Sequence, residues 1–170
     1  HVEGARLFLN GQAAVELFDT PGLEDGIALL DYLDQLKAQT LQGSSRFDGP
    51  ESIQHFLGMP ESSQRFEQEA RVLRKLLECD AGLYVIDIRD PVLAKLRDEL
   101  AILSRCGRPL VPILNFMHSN PNYLQDWKEA LGRLGLHLSI EFDTVAPALD
   151  GEEQLYQKLA LVLDSHADTL

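Results

Sequence analysis

Two β-rich runs meet at Asn10-Gly11 near the start of the chain. Leu7 and Leu9 alternate before this dipeptide, and Val15, Leu17 and Phe18 come after it. Asn-Gly between alternating apolar runs favours a tight turn with both central residues at positive φ, so residues 5–19 are predicted to form a hairpin ending at Asp19. Thr20-Pro21-Gly22 then breaks the pattern, and Ile27, Leu30, Leu33 and Leu36 recur at helical spacing. Residues 43–60 hold three Gly, two Pro and three Ser, which predicts an irregular, mobile insertion. With the helical pattern beside it, this insertion spans about 38–79 and is acidic.

Helical period resumes at Phe66, Ala70, Leu73 and Leu77. Residues 82–88 (GLYVIDI) are almost wholly apolar, as expected of a central strand covered on both faces. Asp90-Pro91 fits an N-cap and first helical position, ahead of a stripe of Leu93, Leu96, Leu100 and Leu103. Residues 110–116 (LVPILNF) form a second buried strand in which Pro112 removes one ladder donor. Asn120-Pro121 is expected to cap a helix bearing Leu124, Trp127, Leu131 and Leu134. Residues 137–146 read as a strand and 151–163 as a closing helix. Helix and strand alternate over the later two-thirds, so the predicted fold class is α/β with a mostly parallel sheet in three layers.

A length of 170 residues gives one domain with room for a substantial core. The 45% hydrophobic and 25% charged content excludes wholesale disorder. The net charge of −12 argues against nucleic acid and anionic lipid as partners unless a basic patch exists. The best patch, Arg65, Arg71, Arg74 and Lys75, has Glu61 and Glu67 four residues before Arg65 and Arg71, the spacing of ordinary helix ion pairs. Cys79 and Cys106 form no CxxC and are expected to be buried free thiols. With no signal peptide and no transmembrane run, the expectation is a soluble cytoplasmic domain. The chain opens at His1, already close to a strand, and reads as a piece of something longer.

In open parallel sheets ligands gather at the carboxyl ends of the strands. The residues in question are 19–22, 87–90, 115–119 and 143–146, and a shared site along this edge is expected. Asp19, at a strand tip, can hold a hydrated magnesium ion, which keeps most of its waters. Gly22 would let its backbone N–H approach a terminal phosphate unobstructed. No HxxxH, HExxH, GxSxG or phosphate-accepting aspartate pattern offers a rival chemistry. Trp127 and Phe66 lie at core-like helix positions.

The string Val15-Glu16-Leu17-Phe18-Asp19-Thr20-Pro21-Gly22 resembles the hydrophobic-strand-then-DTPG motif of P-loop GTPases, most closely the Era-like branch. The order of the later motifs is also similar. A strand ends in Asn115-Phe116-Met117-His118, where the family has Asn-Lys-x-Asp, and a later strand leads into Val145-Ala146, where it often has Ser-Ala. The 57 residues between Gly22 and Asp80 exceed the family minimum, and the excess is the insertion. The resemblance implies a GTP-binding and GTP-hydrolysing switch using Mg2+. Asp19, Thr20, Pro21, Gly22, Asn115, His118, Val145 and Ala146 would bind nucleotide, and Leu23 and Glu24 would belong to the switch loop.

Three features depart from the family pattern. Phe116 and His118 stand where it has Lys and Asp, and a neutral imidazole offers one acceptor where a carboxylate takes both guanine donors. Leu23 stands where many GTPases orient water with Gln, so no catalytic residue is assigned. No GxxxxGK[ST] phosphate loop occurs. In the family that loop comes after a strand lying between the DTPG strand and the next one. A partial G domain over 1–170 would therefore leave open apolar edges at 15–18 and 83–88 and depend on the rest of its protein for solubility. The alternative expectation is a non-catalytic interaction domain that kept the fold, binding a protein partner through the 38–79 insertion.

Overall fold

The computed structural model describes residues 3–9, 12–40, 49–146 and 149–167. Strands β1 (Glu3–Leu9) and β2 (Gln12–Asp19) pair antiparallel from Glu3↔Asp19 to Leu9↔Gln12, with a register shift between Leu7 and Phe8. This is the expected hairpin, although the Asn10-Gly11 turn lies outside the described residues. A second sheet holds β3 (Gly82–Asp87), β4 (Leu110–Asn115) and β5 (Ile140–Glu141), all parallel, in the order β3-β4-β5. The helices are α1 (Gly26–Thr40), α2 (Pro50–Leu57), α3 (Glu61–Gln64), α4 (Glu67–Glu78), α5 (Ala94–Ser104), α6 (Leu124–Arg133) and α7 (Gly151–Ala167). The chain is thus α/β, with a three-stranded parallel sheet and flanking helices.

Strand β4 is the centre of this sheet because its alternate residues feed two cores. Leu114 joins Ile86, Ile88, Leu100, Trp127 and Leu131 on one face. Val111 and Ile113 pack on the other with Ile140 of β5, Phe142 just after it, and Leu155 and Leu159 of α7. Pro112 is tolerated there for a positional reason. The Leu114 carbonyl accepts from Phe142 N–H, and the Asn115 carbonyl from Ile88 N–H, so even residues of β4 face β5 and odd ones face β3. The missing Pro112 donor therefore points to the side where β5 is only two residues long. A third core lies among the helices. Leu29, Leu33, Ile53, Leu73 and Ile102 surround Phe56 and Phe66, whose rings stand edge to face at 6.0 Å.

Several expectations are corrected. Residues 50–57 are not irregular: Pro50 opens α2 at its first turn and Gly58 closes it, sending Ile53 and Phe56 into the core, and only 58–60 form a turn. Glycine and proline act here as helix punctuation, the Pro-start, Gly-stop asymmetry of helix ends. Residues 43–48 lie outside the described residues. Helix α1 is rotated from the expected stripe, burying Leu29, Leu33 and Leu36 while Ile27 is exposed. Asp90 caps no helix. It sits in a turn, its N–H donating to the Asp87 carbonyl at 3.2 Å, and α5 starts only at Ala94. Likewise α6 starts at Leu124, where Asn122 Oδ1 accepts the Leu124 N–H at 3.2 Å, rather than at Asn120-Pro121.

The expected strand over 137–146 shrinks to two residues, because the segment after it turns away to bond the loop beyond β4. Strand β3 is covered on one face only. Tyr84 and Ile86 point to the helices, whereas Leu83 and Val85 are 39% and 64% exposed beside the α7-covered half of the sheet. Among the described residues no helix is long and apolar enough to cross a membrane.

This asymmetry sets an expected pattern of stabilities. Leu114→Ala should lower the unfolding free energy by about 2–5 kcal/mol. Val85→Thr, which keeps β-branching, should stay within about 0.5 kcal/mol. Urea denaturation of the two variants checks this, and comparable losses would mean that both faces of β3 are covered.

Candidate functional site

The ends of the three parallel strands are joined side chain to side chain. Asn115, buried at the end of β4, accepts three hydrogen bonds through Oδ1: from Phe116 N–H at 2.8 Å, Thr144 N–H at 3.0 Å and Thr144 Oγ1 at 3.2 Å. Its side-chain carbonyl therefore ties the β4 exit to the loop after β5. Phe116 has φ of 66°, the left-handed region that costs a Cβ-bearing residue roughly 1–2 kcal/mol. Two contacts hold it there: the Asn115 bond to its N–H, and the Arg89 guanidinium 3.7 Å above its ring. Arg89 in turn forks onto Asp87 at the end of β3, its shortest bond being 2.6 Å. That bond holds the Asp87 carboxyl below its usual range.

The junction closes on Asp143. Its carboxylate is buried and accepts four hydrogen bonds. Oδ2 takes the His118 N–H at 3.0 Å and Nδ1 at 2.9 Å. Oδ1 takes the Val145 and Ala146 N–H groups, both at 2.9 Å. The His118 backbone donor, then the Ala146 donor, then the His118 ring push the Asp143 pKa far below the ordinary carboxylate range. An ionised carboxylate only accepts, so His118 Nδ1 must carry the ring proton facing it. The imidazole is 72% exposed, with its Nε2 edge turned away from the Asp143 carboxylate.

The 19–24 loop belongs to a different neighbourhood. Asp19 is exposed at the end of β2, Thr20 and Pro21 are half-buried, and Gly22 has open space where a Cβ would stand. The hydrogen bonds of this loop run to α4. The Gly22 carbonyl accepts Gln68 Nε2 at 2.8 Å, and buried Glu69 Oε1 accepts the Glu24 and Asp25 N–H groups at 2.8 and 2.7 Å. Asp25 then caps α1, its Oδ1 accepting the Ala28 N–H at 3.1 Å. Leu23 is a core residue packed with Leu29 and Leu73, so it anchors the loop instead of facing solvent.

The structure therefore brings Asn115, His118, Val145 and Ala146 together, ties Gly22 and Glu24 to α4, buries Leu23 in the core, and leaves Asp19 exposed with Thr20 and Pro21 half-buried. Three of the four strand exits share one edge through Arg89, Asn115 and Asp143. The Val145 and Ala146 N–H groups, expected to line a ligand pocket, are turned inward to Asp143. Sequence reasoning missed Glu69 altogether, and it placed Arg89 and Asp143 within the strand exits without assigning them the roles of stack on Phe116 and clamp. The one sequence signal for Asp143 was its place just after an apolar run, ahead of small residues able to form an Asx turn.

The basic patch is internally engaged: Arg71 pairs with Glu67 at 2.8 Å, Lys75 with Glu78 at 2.7 Å, and Arg74 reaches the Leu57 carbonyl at 3.2 Å. Arg65 lies 4.8 Å from the Phe66 ring centroid. Both cysteines are free. Burial pushes the Cys106 thiol up to about 12, while half-buried Cys79 rises less far. Neither is an activated nucleophile.

Residues 128–170 match the model of a family described as a domain of unknown function (DUF3482). The matched quarter of the chain begins inside α6 and includes β5, the Asp143 clamp and α7. No curated protein matches the chain.

Because the Asp143 pKa is depressed on folding, its contribution to stability is complete above the ordinary aspartate pKa of about 3.9 and fades as pH falls below it. Asp143→Asn turns an amide toward backbone donors and should lower the urea midpoint clearly at pH 7. The gap from the parent protein should narrow on moving toward pH 3. A gap independent of pH would show that the charge is immaterial.

Proposed function

We propose that this chain carries the greater part of an Era-like P-loop GTPase domain and acts, within its full-length protein, as a cytoplasmic GTP-binding and GTP-hydrolysing switch. The observation that carries this reading is the Asn115 side chain. A strand-end Asn whose Oδ1 ties its own loop to the loop after the next strand is what a preorganised base pocket needs. Phe116, stacked under Arg89, adds an aromatic ring at the same edge.

The open edges support the same reading, which puts a phosphate-loop strand between β2 and β3. Among the described residues β2 is paired with β1 alone and β3 with β4 alone, so each has one side without a neighbouring strand. The phosphate loop itself would be supplied by another segment of the natural protein.

Asp19 fits a magnesium ion held through water: it is an exposed carboxylate at a strand tip, and the ion asks for few protein ligands. When bound, the ion would neutralise phosphate charge. Gly22 would offer its N–H to the terminal phosphate, with the peptide oriented by the Gln68 bond to its carbonyl. Leu23, fixed in the core, limits any nucleotide-dependent rearrangement to the residues before it and to the Glu69 contacts after it.

A second reading, a non-catalytic interaction domain, draws on Phe116 and His118 in place of Lys and Asp and on the exposed outer faces of α2 and α4. Nucleotide binding by the full-length protein separates the two. GTP should bind more tightly with magnesium, and Asp19→Ala should remove at least roughly tenfold of that gain, the scale of a lost charged interaction. Phosphate release should show the same dependence. Calorimetry showing no nucleotide binding with or without magnesium would leave the interaction-domain reading.

A further inference from the structure

Glu69 is the third residue of α4. An acid at that position ordinarily turns back to the N–H just ahead of its own helix. That donor, the Phe66 N–H, is already bonded to the Glu61 carbonyl at 3.0 Å, and α4 begins without a side-chain cap. Glu69 instead reaches out of its helix: Oε1 accepts the Glu24 and Asp25 N–H groups at 2.8 and 2.7 Å, from residues 45 and 44 positions away. Its neighbour Gln68 donates to the Gly22 carbonyl at 2.8 Å. All three bonds end on loop backbone, so two adjacent residues of one helix hold the loop whatever side chains it carries. Glu69 is 3% exposed, and a carboxylate so buried needs its donors. The seat of α4 depends in turn on Arg74, which donates to the Leu57 carbonyl at the end of α2 at 3.2 Å and to Ser62 Oγ in α3 at 3.4 Å.

We propose that α4 is a latch for the 22–25 loop and that α2 and α3 set it: a contact that shifts α2–α3 away from Arg74 lets α4 move and frees Glu24 and Asp25 from Glu69. Leu23 stays in the core, packed with Leu29 and Leu73, so the latch acts on the residues to either side of it. Release is felt beyond the loop because of Asp25. Its Oδ1 accepts the Ala28 N–H and its carbonyl the Leu29 N–H, both in the first turn of α1. Freeing Asp25 therefore loosens the start of α1, while Leu29, Leu33 and Leu36 keep the body of that helix packed. The first turn of α4 survives release, since the Ala70 N–H bonds the Phe66 carbonyl at 2.8 Å without help from Glu69. The latch requires no nucleotide, so it stands or falls apart from the GTPase reading.

The test is hydrogen–deuterium exchange of the full-length protein, read by mass spectrometry over residues 22–29 and 110–115. In Glu69→Ala the Glu24 and Asp25 amides should exchange at least about tenfold faster than in the parent protein, the scale of bonds to a charged acceptor. Glu69→Gln keeps an acceptor oxygen and should show a smaller rise. Arg74→Ala touches no loop residue, yet it should speed the same two amides by at least about threefold, the scale of a neutral hydrogen bond. The Ile113 and Leu114 amides should keep the parent rate in every variant. Unchanged exchange in Glu69→Ala, or a smaller rise than that in Arg74→Ala, would overturn the latch. Equal acceleration at Ile113 and Leu114 would do so too, since loop opening would then belong to global unfolding. Should Glu69→Ala not fold, Glu69→Gln and Arg74→Ala decide by the same readings.

Discussion

Strand β4 has a strand on each side and a covered face above and below, and most of the fold depends on that position. Its even residue Leu114 closes the core shared with α5 and α6, while Val111 and Ile113 close the one beneath α7. Covering both faces of one short strand recruits three helices and fixes where β3 and β5 can lie. It also fixes the site, because a strand that cannot shift holds Asn115 at a constant height at its carboxyl end. From there Asn115 Oδ1 reaches Thr144 beyond β5, and the Phe116 ring reaches Arg89 beyond β3.

The hairpin, β3, β4, α4 and α6 were legible because each has a local signal: Asn-Gly between apolar runs, short β-branched strands, or a stripe such as Ala70 and Leu73. Helix α2 was obscured by its own boundary residues, since Gly49, Pro50 and Gly58 resemble loop composition until their positions at the helix ends are seen. The half-bare face of β3 could not be read either. An apolar run such as Leu83-Tyr84-Val85-Ile86 says what a strand would bury, not what the fold has supplied to cover it.

For the site, the exits themselves were legible and the connections between them were not. Asn115 and His118 stand out as polar residues closing an apolar strand. Asp143 meets His118 across 25 positions and Glu69 meets Glu24 across 45, distances at which sequence carries no pairwise signal. The edge works as a junction because one buried carboxylate accepts four donors from two loops.

Glu69 imposes a different relation on the other half of the molecule. The N–H groups of Glu24 and Asp25 end on one oxygen of a helix whose Arg74 also grips the Leu57 carbonyl at the end of α2. The loop that begins at Asp19 is therefore tied through Glu69 to α4, and α4 through Arg74 to the end of α2, so displacing residues 24–25 from α4 would leave the buried Glu69 carboxylate without these two backbone donors.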